Sequence, residues 1–499
     1  MRSTDARKES HMQQLTGLDE MFLSLDTGRT TGHVAGIAFF GPPAQPRDEL
    51  RFVRERVADR LSRLPVLRWR LKSVPLQMDG RYWVDGPVDL QEQIVGIRLP
   101  KPGTAVQMQE VIDRIMAQLL ERDRPMWRIY VIEGLQDGGY AYLVKMTHGL
   151  ADGAVLWMIY DTLSDEPSEL LPEVPMSAEP RGGRVEMLAR GLVGLAKRPV
   201  KGMKLQAETA AWAAGKVRKE GLQFVPDSVV RMLPGELSKP VAALTNKGRS
   251  ADQPKAASLL PSLVPPKSPF NGTVTGNVTI VDHDFAIADL RTVGKLVGGT
   301  INDAVLAVTA GALRAYMADH GGIVARPLIA STPISWRTGK ERERFANQIF
   351  MLFQPLGTHL ADPMERLKFA KATATTAKAN WDGVPSHLTR RASEWMPVIA
   401  LGPGMKVMSY LPGQFAPKAY NVSVSNVKGP REAPVYGGAA MAKYVVFGFL
   451  PPGCGLLLGG QSLGDRIVFS ATVCPDIVTH YRDLPRYLAQ SLEELLALA

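Results

Sequence analysis

The chain has 499 residues, of which 45% are apolar and 22% charged. So much apolar content excludes a mainly disordered chain, and two cysteines, Cys454 and Cys474, exclude a disulfide framework and a multi-cysteine zinc site. The net charge is +10, and residues 181–220 alone hold ten Lys/Arg against three Glu, a local +7.

In chain order, residues 1–11 read as a short polar arm without the apolar core of a signal peptide. The segment HVAGIAFF follows as a strand, and a helix is predicted over about 47–61. A hairpin-like stretch lies around Gly80, then a helix from Ala105 to about Glu121. Strands are predicted at Trp127–Glu133 and Tyr140–Met146, and a helix over Gly153–Leu163. An acidic, proline-rich linker leads to the basic block, where apolar residues at helical spacing suggest two amphipathic helices separated by Pro199.

A second linker spans about 246–271. Beyond it, strands are expected near 274–284, 327–334, 348–356, 420–425, 455–461 and 465–473. Helices are expected near 287–296, 302–318, 364–380 and 484–498. This alternation is an α/β or α+β pattern. The longest apolar stretch, about 16 residues from Tyr444, is broken by Pro451 and Pro452, whereas a spanning helix needs about 20. With the low cysteine count, this predicts a cytoplasmic protein.

One segment stands out for chemistry: His148-Gly149-Leu150-Ala151-Asp152-Gly153, between an alternating strand and an apolar helix. A histidine on a glycine-flanked turn at a strand end is available to a ligand, and its unperturbed pKa suits general-base work. Asp152 is also well placed to cap the next helix, and Gly153 to make a turn. No Walker loop, GxGxxG or GxSxG is present, and histidines and cysteines are too scattered to predict a metal. The basic block lacks interleaved aromatics; it reads as a solvated face or a membrane-surface helix before a nucleic-acid site.

Several segments together resemble the bacterial wax ester synthase/diacylglycerol acyltransferase family. They are the opening LTGLDEMFLSLDTGRTTGHVAGIAFF; RDRPMWRIYVIEGL with Pro125 and Trp127; VKMTHGLADG, similar to the HHxxxDG motif; GGTINDAVLAVTAGALRAYM with Asn302 and Asp303; PLIASTPISWR ending in Arg337; and NVSVSNVKGP with Ser425 and Asn426. The resemblance covers nearly the whole chain in order. Thr147 replaces the motif's first histidine, Met126 the leucine of the PLW segment, and Lys428 the proline of SNVPGP.

The resemblance implies an α/β, two-domain, chloramphenicol acetyltransferase-like architecture with a tunnel between the halves. The expected organisation is an N-terminal half over 1–180, a basic amphipathic linker over 181–265 and a C-terminal half over 266–499. It implies an O-acyltransferase that moves a long-chain acyl group from acyl-CoA to diacylglycerol or a long-chain alcohol, with His148 as general base. Asp152 would orient the turn through a pairing with Arg337, beside Gly153. Asn302, or Ser425 with Asn426, would supply oxyanion donors, and Trp127 a core anchor. Acyl-CoA is expected as co-substrate, with no cofactor or metal. The basic segment 181–220 is expected to meet an anionic membrane or lipid-droplet surface, not nucleic acid. The alternative is a weak or inactive acyl-CoA- or lipid-binding paralogue; a third reading is transfer from a carrier protein, as in condensation domains.

Overall fold

The computed structural model describes residues 12–176, 183–220, 265–335, 347–382 and 419–499, save 44 and 78, with scattered positions among 336–346 and 383–418. The predicted arm over 1–11 and residues 221–264, which take in part of the basic linker expected over 181–265 and most of the second linker expected over about 246–271, lie outside the described residues.

The N-terminal half runs β1 (Met12–Gln14), α1 (Gly17–Ser24), β2 (His33–Phe40), α2 (Glu49–Arg60), β3 (Trp69–Lys72), β4 (Tyr82–Asp85), α3 (Leu90–Gln93), β5 (Ile94–Arg98), α4 (Ala105–Ala117), β6 (Trp127–Glu133), β7 (Tyr140–Thr147) and α5 (Gly153–Leu163). After α6 (Arg184–Glu220), the C-terminal half runs β8 (Thr279–Ala286), α7 (Ile287–Lys295), α8 (Ile301–Asp319), β9 (Ile329–Ser335), β10 (Ile349–Pro355), α9 (Pro363–Asp382), β11 (Val422–Val427), β12 (Val435–Tyr436), β13 (Ala439–Phe447), β14 (Leu456–Leu463), β15 (Arg466–Val473) and α10 (Leu484–Leu496). Helix starts follow local chemistry. Thr16 with Asp19, Thr104 with Gln107 and Thr300 with Asp303 each close a capping box, satisfying amide donors that the first turn leaves free.

Two six-stranded sheets carry the fold, in the orders β12-β13-β2-β7-β6-β5 and β10-β9-β11-β14-β15-β8; a small sheet β1-β4-β3 stands apart. The central strands β2 and β7 read as nearly unbroken apolar runs because both faces are covered. Phe40, Tyr142, Val144 and Met146 pack with α2 and α5, while Ala35, Ile37, Ala141 and Leu143 pack with α4. The second cluster also takes in Ile280 and Val468 of the C-terminal sheet, so one apolar layer joins the halves.

The pattern missed β13. It pairs antiparallel with β2, Phe447 opposite Ala35, so residues 435–447 of the C-terminal half complete the N-terminal sheet. Gly36 of β2 is required there, because a Cβ would lie 2.1 Å from the Tyr444 hydroxyl oxygen. The break expected at Pro199 is also absent: α6 continues through it as one helix. Pro199 is exposed, so water can serve the carbonyl that loses its donor.

Candidate active site

The turn after β7 is held from several sides. The Thr147 amide donates to the Met126 carbonyl (3.0 Å), and the His148 amide donates to the Gly32 carbonyl (2.7 Å). Behind the turn lies α1: a Cβ on Gly149 would sit 2.9 Å from the Asp19 carbonyl oxygen, so only glycine lets the two segments approach this closely. The segment around Trp127 is the base of this arrangement. Trp127 is fully buried, its indole donates to the Leu67 carbonyl (2.7 Å), and its amide donates to the Pro125 carbonyl (2.9 Å).

Asp152 performs both of the jobs its position suggests. One carboxylate oxygen accepts from the amides of Ala154 (3.1 Å) and Val155 (3.0 Å), capping α5. The other accepts from the Arg337 guanidinium (2.7 Å) and the Gln348 amide (3.2 Å). The predicted Asp152–Arg337 pair therefore ties the motif turn to the C-terminal half.

The His148 imidazole is only 8% exposed. It stacks on Phe22 of α1, centroids 4.0 Å apart and planes at 12°, and meets the edge of Phe449 at 5.4 Å. Burial pushes its pKa below the ordinary value, against the opposing pull of its own carbonyl, Asp152 and Asn347. A depressed value leaves the ring neutral at neutral pH, the form that can take a proton. Leu18, Phe22 and Leu25, with Met21, Ile349 and Phe449, make an apolar cluster beside it.

Other expected residues divide. Val427, at the end of β11, places a methyl 3.5 Å from where a Gly153 Cβ would be, so this strand end reaches the start of α5. Ser425 lies two residues earlier on the same face of β11, while Asn426 turns its amide oxygen toward Gly460. Asp303 spends a carboxylate oxygen on the Thr300 cap (2.6 Å), and Asn302 sits half-buried beside it. Neither side chain bonds a described residue of the His148 turn. Thr147 is fully buried opposite His33 of β2, whose Nε2 lies 3.2 Å from Asp26 Oδ1.

Sequence reasoning missed Phe22, Asn347, Gln348 and Phe449. The capping pattern Thr16–Asp19 could have placed α1, and with it Phe22; nothing local marks the other three. It also missed that His320, His480 and Asp483 come together, with ligand atoms within 4.8 Å. The two imidazoles stack flat at 3.9 Å and 2°, so their in-plane lone pairs run side by side and do not converge on one ion.

Residues 15–305 match the wax ester synthase/diacylglycerol acyltransferase catalytic domain, and residues 345–496 match the C-terminal domain of the same family. The chain belongs to the wax ester synthase/diacylglycerol acyltransferase family. Among its relatives is a protein of Mycobacterium tuberculosis named as a diacylglycerol O-acyltransferase, 28% identical over 485 residues, covering 96% of this chain and 97% of the relative. The O-acyltransferase WSD of Acinetobacter baylyi is 28% identical over 493 residues, covering 97% and 96%. In fold, the chain is similar to the wax ester synthase/diacylglycerol acyltransferase of Marinobacter aquaeolei VT8 (TM-score 0.61, 20% identity, 97% of this chain and 98% of that one). It is also similar to the condensation domain of the Monacolin K polyketide synthase MokA (TM-score 0.55, 12% identity, 98% and 97%). Membership of the wax ester synthase/diacylglycerol acyltransferase family makes the chain an O-acyltransferase of the diacylglycerol or alcohol type.

Proposed function

We propose that the chain transfers a long-chain acyl group from acyl-CoA to the hydroxyl of diacylglycerol or a fatty alcohol, with His148 as general base. The observation that carries this reading is a buried imidazole with a depressed pKa, fixed at the meeting of the two halves beside an apolar cluster. His148 takes the hydroxyl proton as the oxygen attacks the thioester carbonyl. The tetrahedral oxyanion then collapses, the carbon–sulfur bond breaks, and the CoA thiolate receives that proton from His148. No covalent enzyme intermediate is needed. Ser425 is the favoured oxyanion donor, because its face of β11 reaches Gly153 through Val427; losing such a donor costs about 100–1000-fold in kcat. The acyl chain would lie in a tunnel between the halves along Phe22, Phe449 and Ile349.

The test is release of free CoA thiol from palmitoyl-CoA with diacylglycerol or hexadecanol, beside His148→Ala. Acceptor-dependent release that the substitution abolishes is expected, and the better acceptor names the substrate. Acyl-CoA binding without release, in folded protein, would instead support the non-catalytic paralogue, which Thr147 in place of the first motif histidine favours.

The same reading includes a lipid surface. Met187 of α6 packs with Val74, Tyr82 and Val84, which docks the helix on the small sheet. On the far side, Val185, Leu188, Leu192, Val193, Val200 and Met203 are 43–82% exposed and recur at helical spacing. Lys197, Lys201 and Lys204 border this stripe, each adding about 1 kcal/mol near an anionic leaflet. The helix is proposed to lie in an anionic membrane or lipid-droplet surface. Leu192→Glu with Met203→Glu should weaken sedimentation with anionic vesicles, and the Lys→Ala triple should reduce its salt sensitivity. Unchanged binding by both would remove α6 from that role.

A further inference from the structure

The segment leading into β10 places one side chain between three parts of the site. Asn347 is 4% exposed, and its amide nitrogen donates to Asp19 Oδ1 of α1 (2.9 Å) and to the His148 carbonyl. The next residue, Gln348, gives its amide to Asp152. Two buried polar atoms here have no hydrogen-bond partner among the described residues: Asn347 Oδ1 and His148 Nδ1. An unsatisfied buried acceptor and an imidazole N–H each cost about 1–3 kcal/mol, so two of them together imply a bond made when the site tightens.

We propose that Asn347 is a positioning residue for His148. Its amide nitrogen holds the His148 carbonyl against α1, and its amide oxygen accepts the Nδ1–H hydrogen bond. That arrangement selects the tautomer whose Nε2 is free to receive the acceptor's proton. This inference rests on His148 being the general base, the reading proposed above. The competing acceptor for Nδ1–H is the His148 carbonyl, which already accepts from the Asn347 amide nitrogen. The charged groups around the turn are Asp19 of α1, Asp152 ahead of α5 with Arg337 after β9, and Asp26 with His33 behind it. Asn347 favours the protonated imidazole, so its removal lowers the pKa of His148.

The test is made on the full-length chain labelled with 15N-histidine, where ring nitrogen shifts report the tautomer without any need for turnover. His148→Gln assigns the signal. Asn347→Ala is expected to erase the Nδ1–H preference, to cut kcat at least tenfold with little change in KM for acyl-CoA, and to move the acidic limb of the pH–rate profile to lower pH. Asn347→Asp, which keeps an acceptor in place and adds a charge, is expected to keep the tautomer and move the acidic limb to higher pH; if the alanine variant does not fold, an unmoved limb in Asn347→Asp overturns the proposal. An unchanged tautomer and an unmoved acidic limb in Asn347→Ala would overturn the proposal. A tautomer that responds as expected in a wild-type protein without transfer would leave Asn347 in its place and remove the acyltransfer reading instead.

Discussion

Asp152 and Asp19 show how two buried carboxylates near one histidine come to behave differently. Asp152 faces a guanidinium at 2.7 Å. Asp152→Asn keeps an oxygen for the α5 cap but removes the charge; breaking a buried pair from one side predicts a loss of about 3 kcal/mol in urea unfolding. A loss below about 1 kcal/mol would show that Arg337 is held by other bonds. Asp19 is pushed up to about 6 by burial, despite the hydrogen bond from Asn347. With the folded-state value above the unfolded one, the native state binds the extra proton between pH 4 and 6. Stability from this group is therefore present below about pH 4 and is lost as pH rises through 6, by up to roughly 3 kcal/mol. Asp19→Asn should flatten that slope in unfolding curves taken from pH 4 to 7; an identical slope would refute the shift. At this scale the sequence announced His148 and Asp152, because they share one motif, and Arg337 through its matching strand. Asn347 and Phe449 were illegible, and the Thr16–Asp19 cap could place Phe22 on a helix but not against His148: each reaches His148 from another part of the chain, and single-sequence spacing carries no such contact.

Elements were legible where local chemistry sets their limits. The helix predicted over Gly153–Leu163 is α5, started by the Asp152 cap. The strand at Trp127–Glu133 is β6. The missed strand β13 lies between β12 and β2, with Tyr444, Val445 and Phe447 all buried, so no apolar–polar alternation marks it. Its sequence, AAMAKYVVF, continues into a glycine- and proline-rich run that hides the strand's end. The misread break in α6 has a different cause. Proline usually ends a helix by losing a hydrogen bond and crowding the preceding turn, at about 3 kcal/mol. Here the docking of Met187 before it and the burial of Leu205 after it hold both segments in line. Pro199→Ala should therefore slow amide exchange over residues 195–203 and leave the exposed apolar stripe intact. Faster exchange there would mean that the proline, not the docking, sets the helix.

At the scale of the molecule, alternating elements left α/β and α+β open, and the family resemblance supplied the α/β class and the order of the two halves; their mutual dependence was not legible. Periodicity marks where a strand is, not which sheet it joins. Arg337, Asn347 and Gln348 reach into the N-terminal turn, while β12 and β13 complete the N-terminal sheet. A chain ending at residue 265 would uncover the edge of β2 that β13 pairs with, Ala35–Phe40, and leave the backbone amides and carbonyls on that side without partners. Such an edge is an aggregation template. Residues 1–265 expressed alone are expected to be insoluble, and co-expression with 266–499 to restore soluble protein. A soluble 1–265 fragment with a cooperative unfolding transition would show the halves to be independent.

The exchange of β13 also sets a schedule for synthesis. The edge of β2 emerges from the ribosome about 400 residues before the strand that covers it. At roughly 5–20 residues per second, that interval is about 20–80 s. Throughout it, HVAGIAFF is a long apolar strand without its outer neighbour. The nascent chain thus carries an uncovered hydrophobic strand through most of its translation, and β2 gains its outer neighbour only when Phe447 has cleared the exit tunnel.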